Sequence, residues 1–282
     1  MKQASSHITL LVGPQTRLAR ALNDAVRTRR KAIAVAGVMA VPNRIATRAL
    51  RAATAENQSD KDRRASLASA LPLDDGRPVF LSAINFLGPP TAAFRRQELF
   101  PNAERIINSH GSPLAKMISR VVVTVEPLHH FLLSLSSPTL HHRVSASPWE
   151  ALYELSWSEL VSELCEAFPS CRVWVVTPDA AFVGAQTILA EMFGAAATAI
   201  DPTILQRCHL TPDGQAALEK AALGGNPSAE KLEGLFSAYH DAPDPAELET
   251  RVGIDKLTST LLDQRFLEDL REIEALPRVR LL

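Results

Sequence analysis

The sequence predicts an α/β fold: a parallel sheet flanked by helices, with a helical C-terminal portion from about residue 200 to 282. Three features predict it. Short apolar runs such as RVVVTV, Arg120 to Val125, lack polar alternation, as expected for strands covered on both faces. Stretches with i, i+3, i+4 apolar spacing alternate with these runs, which is the pattern of crossover helices between parallel strands. The chain also opens with ITLLVGPQTRLARAL, Ile8 to Leu22, which reads as a strand, a tight Gly13-Pro14 turn and a helix. In α/β proteins that layout holds anions, because the first N–H groups and the helix dipole face the crevice.

Taken in order, Ile8, Leu10, Leu11 and Val12 supply the first strand, and Leu18, Ala21, Leu22, Ala25 and Val26 the apolar residues of the first helix. Lys31 to Met39 (KAIAVAGVM) is a second apolar run, read as a strand and broken by Pro42-Asn43. Arg44 to Ala53 is helical in pattern, and Ala55 to Arg64 is polar, a solvated helix or a loop. Pro78 to Ser82 reads as a third strand closed by the Asn85 to Pro90 turn, and Arg120 to Val125 as a fourth. In WSELVSELCEAF, residues Trp157, Leu160, Val161, Leu164 and Phe168 share one helical face. Ser156 or Ser158 is the cap and Pro169 the stop. Arg172 to Val176 is a fifth strand, and Ala181 to Phe193 a helix ended by Gly194. Beyond Ala195 the strand signal fades. Helices are expected at Leu205 to Leu223, Ala229 to Tyr239 and Leu257 to Leu276. The last carries an apolar stripe of Leu261, Leu262, Phe266, Leu270 and Ile273. One domain over residues 1–282 is the economical organisation.

Composition excludes several classes. The chain has 282 residues, 46% hydrophobic and 22% charged, as in ordinary globular proteins. Thirty basic and 31 acidic residues leave a net charge of −1, so no whole-chain field draws nucleic acid or an anionic membrane. No segment approaches the roughly 20 apolar residues of a membrane span, and Ile8 to Val12 is too short for the core of a secretory leader. Cys165, Cys171 and Cys208 lack metal-ligand spacing and read as idle thiols, consistent with a reducing cytoplasm.

Five stretches in order resemble the bacterial sulfotransferase-like branch of the P-loop nucleoside triphosphate hydrolase fold. They are ITLLVGPQTRLARAL; LSAINFLG with LFPNAERI, Leu81 to Ile106; RVVVTVEPLHHFLLSL, Arg120 to Leu135; SWSELVSELCEAFPSCRVWVV, Ser156 to Val176; and LLDQRFLEDLREIEALPRVRLL, Leu261 to Leu282. The resemblance implies a three-layer sheet and transfer of a sulfuryl group from phosphoadenosine phosphosulfate (PAPS) to a small-molecule or glycan hydroxyl or amine. It implies no metal cofactor. Charge on the transferred group must be held by N–H groups and a cation, and a base must take the acceptor's proton.

The residues depart from that pattern at each point of contact. Gly13, Pro14, Gln15, Thr16 and Arg17 occupy the donor loop, where the family carries lysine and a second glycine; Arg17 is the only cation. The family's donor-binding arginine at the end of the central strand falls on Glu126, a charge that repels phosphate. Ser134 matches the family serine. Ala83 and Ile84 stand where relatives place acidic residues, before Asn85. Two histidines, His129 and His130, are then the candidate base, with Glu126 as orienter of His130 if the i, i+4 pair is helical. A metal site from His129 or His130 with Glu126 and His142 matches no established spacing, and none is assigned. The functional expectation is a sulfotransferase-like protein with impaired or lost donor binding. The alternative is a non-catalytic binding or scaffold module, open to a protein partner. A P-loop kinase is disfavoured by the missing Gly-Lys-Ser/Thr core.

Overall fold

The structure, a computed structural model, describes residues 8–53, 59–71, 76–95, 98–115, 117–135 and 138–282. Six parallel strands form the central sheet: β1 (Ile8–Val12), β2 (Met39–Val41), β3 (Val79–Ala83), β4 (Ile118–Thr124), β5 (Arg172–Val176) and β6 (Val279–Leu281). Their spatial order is β2-β3-β1-β4-β5-β6, so the first strand lies inside the sheet between β3 and β4. This order is consistent with a P-loop-like, Rossmann-type α/β fold.

Alternation of side chains explains why the strands are apolar throughout. Leu10, Val12, Val121, Val123, Val173 and Val175 pack into one core layer, and Leu11, Val122, Trp174 and Val176 into the other. Helices cover both faces. Helix α1 (Arg17–Val35) lies over the second layer through Leu18, Leu22, Val26 and Ile33. Helix α2 (Asn43–Ala53), α3 (Leu128–Ser134), α4 (Trp157–Ala167) and α5 (Lys256–Ala275) bury residues in the first layer. The stripe of α5 docks on its own chain: Leu262 and Ile273 are buried, and Phe266 and Leu270 pack against the same core.

Several boundaries differ from the sequence reading. Lys31 to Val35 continues α1 instead of starting a strand, and β2 begins at Met39. The reason is periodicity: Ile33 is two turns beyond Val26 and shares its buried face, whereas Val35 is 91% exposed. The helix expected over Ala181 to Phe193 is two, Pro178–Val183 and Ala185–Phe193, parted at Gly184. Leu205 to Leu223 is likewise split into Thr203–Arg207 and Pro212–Ala222, because Thr211 caps a new helix at Pro212. Asp60–Ala70 is helical, while residues 54–58 of the polar segment lie outside the described residues. The closing strand β6 was not expected. It pairs with β5 from Val173↔Val279 to Val175↔Leu281.

Candidate functional site

The strand, tight turn and helix at the start of the chain's described residues are built as the sequence suggests. Gly13 has φ +108°, and a Cβ there would stand 3.1 Å from Val123 Cγ2, so the turn needs glycine twice over. Thr16 caps α1, accepting a hydrogen bond from the Ala19 N–H at 3.1 Å, and its hydroxyl also meets that of Thr124 at the end of β4. The loop's amide side chain is committed as well. Gln15 donates to Asn85 Oδ1 and, at 3.1 Å, to the Gly88 carbonyl.

Beside this turn lies Glu126, only 2% exposed, with its carboxyl close enough to the first turn of α1 to feel Arg17 and Arg20. Burial pushes this carboxyl up to about 7, and the nearby guanidinium groups of Arg17 and Arg20 restrain the rise. Its Oε1 has no hydrogen-bond partner among the described residues. The backbone of the same residue is fixed by Trp157, whose Nε1–H donates to the Glu126 carbonyl at 2.9 Å.

The two arginines are also engaged. Arg17 pairs with Asp241 Oδ2 at 2.7 Å and donates to the Asp241 carbonyl at 2.9 Å, which ties α1 to the helical C-terminal region. Arg20 donates to the Ser134 carbonyl at 3.1 Å. Burial lowers its pKa, with Glu126 acting in the opposite sense. Ser134 therefore lies beside α1, and its hydroxyl donates to Phe131 O within the last turn of α3. On the other side, Ser82, Asn23, Asn43 and Asn85 form a neutral network: Ser82 Oγ–H donates to Asn23 Oδ1, and the Asn85 N–H donates to Asn43 Oδ1. An open cleft of about 690 Å³ adjoins it, lined by Arg44, Arg48 and Arg51 of α2 together with Thr47, Asn85 and Pro89.

The histidines do not form the expected pair with Glu126. Helix α3 starts only at Leu128, so Glu126 lies outside it and helical i, i+4 geometry does not apply. Glu126 turns to α1, and the His130 ring lies against those of His129 and His240, 4.4 and 5.8 Å away between centroids. His129, 2% exposed, meets Asp263 Oδ1 of α5 at 3.7 Å through Nε2, and its Nδ1 has no partner. Burial drives His129 down to about 4 and His130 to about 2, with neighbouring His129, His240, Arg17 and His209 adding to the latter. Both rings are neutral at pH 7, and as bases both are weak. His209, also buried, is pushed down to about 3, and its Nε2 is without a partner among the described residues. His142 is exposed on the Pro138–Ser145 helix and is not part of this cluster.

Sequence reading missed Asp241, Asp263, His209 and His240. Nothing in their local sequence marks them; the fold brings Asp241 to Arg17 across 224 residues. The three thiols are idle, since burial raises Cys171 to about 11 and Cys208 to about 12, and Cys165 also rises. Comparisons with family models, with curated proteins and with solved structures find no match for this chain. The class defined here is an α/β protein with a six-stranded parallel sheet, of an order consistent with a P-loop-like, Rossmann-type fold, and a carboxylate buried beside the start of its first helix. No helix among the described residues is long and apolar enough to cross a membrane.

Proposed function

We propose that this chain is a non-catalytic binding module on a sulfotransferase-like scaffold. The observation that carries this reading is the Glu126 carboxylate, buried at the N-terminus of α1 where a donor phosphate would have to sit. A phosphate entering there meets like charge at close range. Arg17 cannot turn to serve it without breaking its contacts with Asp241. The two candidate histidines hold protons too weakly to take the acceptor's proton at neutral pH.

Calorimetry with phosphoadenosine phosphate, the desulfated form of PAPS, tests the proposal. The expected result is no heat at millimolar ligand; micromolar binding would restore PAPS-dependent transfer. An arginine at 126 would crowd two existing guanidinium groups, so Glu126→Ala is the informative variant. Emptying the cradle should let millimolar sulfate raise the melting temperature of that variant and leave the wild type unmoved.

The ligand space left open is the cleft on α2, where Arg44, Arg48 and Arg51 suit an anionic small molecule or glycan. Retention on a sulfated polysaccharide matrix should fall when Arg44 and Arg48 are both replaced by alanine. Unchanged retention would remove the cleft from the reading.

A further inference from the structure

A second feature at the same end of the sheet stands independently of donor binding. We propose that His129, His130 and Asp263 form a site for one divalent transition-metal ion of the zinc, cobalt and nickel class. The first two residues come from the start of α3 and the third from the side of α5. One ligand atom from each of the three lies within 4.8 Å of the other two. Tetrahedral coordination at zinc distances places ligand atoms about 3.4 Å apart. The His129–Asp263 contact, at 3.7 Å, is already near that value. The remaining contraction falls on Asp263, whose side chain is 54% exposed and free to turn, and on the half-buried ring of His130.

The chemistry of the donor set narrows the ion. Two imidazoles and a carboxylate suit borderline cations, whereas calcium and magnesium call for oxygen ligands. No hydrogen bond of ordinary length serves either nitrogen of His129 among the described residues: Nδ1 is unpartnered and Nε2 has only the long Asp263 contact. A cation shared with Asp263 supplies the short contact that Nε2 lacks, while Nδ1 keeps its N–H. Arg17 is the nearby opposing charge, and Asp241 offsets it. Three protein ligands and the exposed edge at Asp263 leave a coordination position for water or a small ligand, as in non-structural zinc sites.

Cobalt(II) titration of the full chain, followed by visible d–d absorption, reads the site directly, with zinc(II) as competitor by calorimetry. The expected result is one equivalent bound with the intense bands of a four-coordinate ion, displaced by zinc. Asp263→Ala should weaken binding by about 100-fold or more, as loss of a direct ligand must exceed the 10- to 100-fold effects of outer-shell changes. Because Asp263 is half exposed, this variant should keep its fold, which circular dichroism checks, whereas His129→Ala opens the core. His142→Ala is the control for surface histidine and should bind as the wild type does. Absence of one-equivalent binding, or binding equal in the Asp263→Ala protein, overturns the site.

Discussion

Glu126→Gln is expected to raise the stability of the protein at pH 8 by about 3 kcal/mol and to remove this carboxyl's share of the pH dependence between 4.5 and about 7, leaving the opposite share of the buried histidines, which take up protons in the unfolded chain first. The carboxyl titrates near 4.5 in an unfolded chain and at about 7 in the folded one, because burial outweighs the attraction of Arg17 and Arg20. Between those values the folded protein keeps a proton that the unfolded chain has lost. Stability contributed by this group is therefore full below pH 4.5, falls as pH rises to about 7, and stays at the lower level above that. A shift of this size corresponds to about 3 kcal/mol. Glutamine holds the shape of the neutral acid. The buried charge disappears. For a chain of this length the gain at pH 8 should appear as a rise of roughly 6 °C in melting temperature, shrinking toward zero at pH 4.5. A glutamine variant that melts lower at pH 8 would mean that the ionised carboxylate stabilises the cradle as an internal substitute for a bound anion.

That result also bears on how much the sequence could disclose. The strands were legible because each is covered on both faces, so β5 was bounded at Arg172 and Val176 without a structure. Short runs were ambiguous: KAIAV looks like a strand until Ile33 is seen to repeat the Val26 face of α1. The three-residue β6 follows Pro277 and alternates with Arg280, too little signal to read. For the site, Glu126 stood out as a departure, and the sequence suggested a charge repelling an external ligand. Its burial in the cradle depends on tertiary packing, with Trp157 holding its carbonyl and α1 meeting its side chain. His129 and His130 were visible as a pair, but their partner Asp263 sits in the middle of an ordinary amphipathic helix. A carboxylate there reads as solvated surface until α5 is docked.

The docking of α5 rests on a second carboxylate, and its removal should be the most destabilising single change in the C-terminal region. Asp269 is buried and accepts from Ser156 Oγ–H at 2.6 Å and the Trp157 N–H at 3.0 Å, with the Ser158 N–H at 3.4 Å. It thus caps α4 from another helix, together with Ser156, the cap that helix supplies itself. Its charge is matched by Arg265 at 3.3 Å, one turn earlier on α5. Asp269→Ala leaves buried donors and a largely enclosed guanidinium without their acceptor, a loss of about 3–5 kcal/mol. Arg265 retains Glu268 and Glu272 as partners, which moves the expectation to the lower half of that range. Asp269→Asn should lose less, because one oxygen still accepts while the new amide faces N–H groups it cannot serve. The midpoint of chemical denaturation measures both. Losses under about 0.5 kcal/mol for alanine would mean that apolar contacts of Leu262, Phe266, Leu270 and Ile273 hold α5 without the cap. If the larger loss is seen, Asp269→Ala should also weaken cobalt binding, since the helix it anchors is the one that delivers Asp263 to the two histidines.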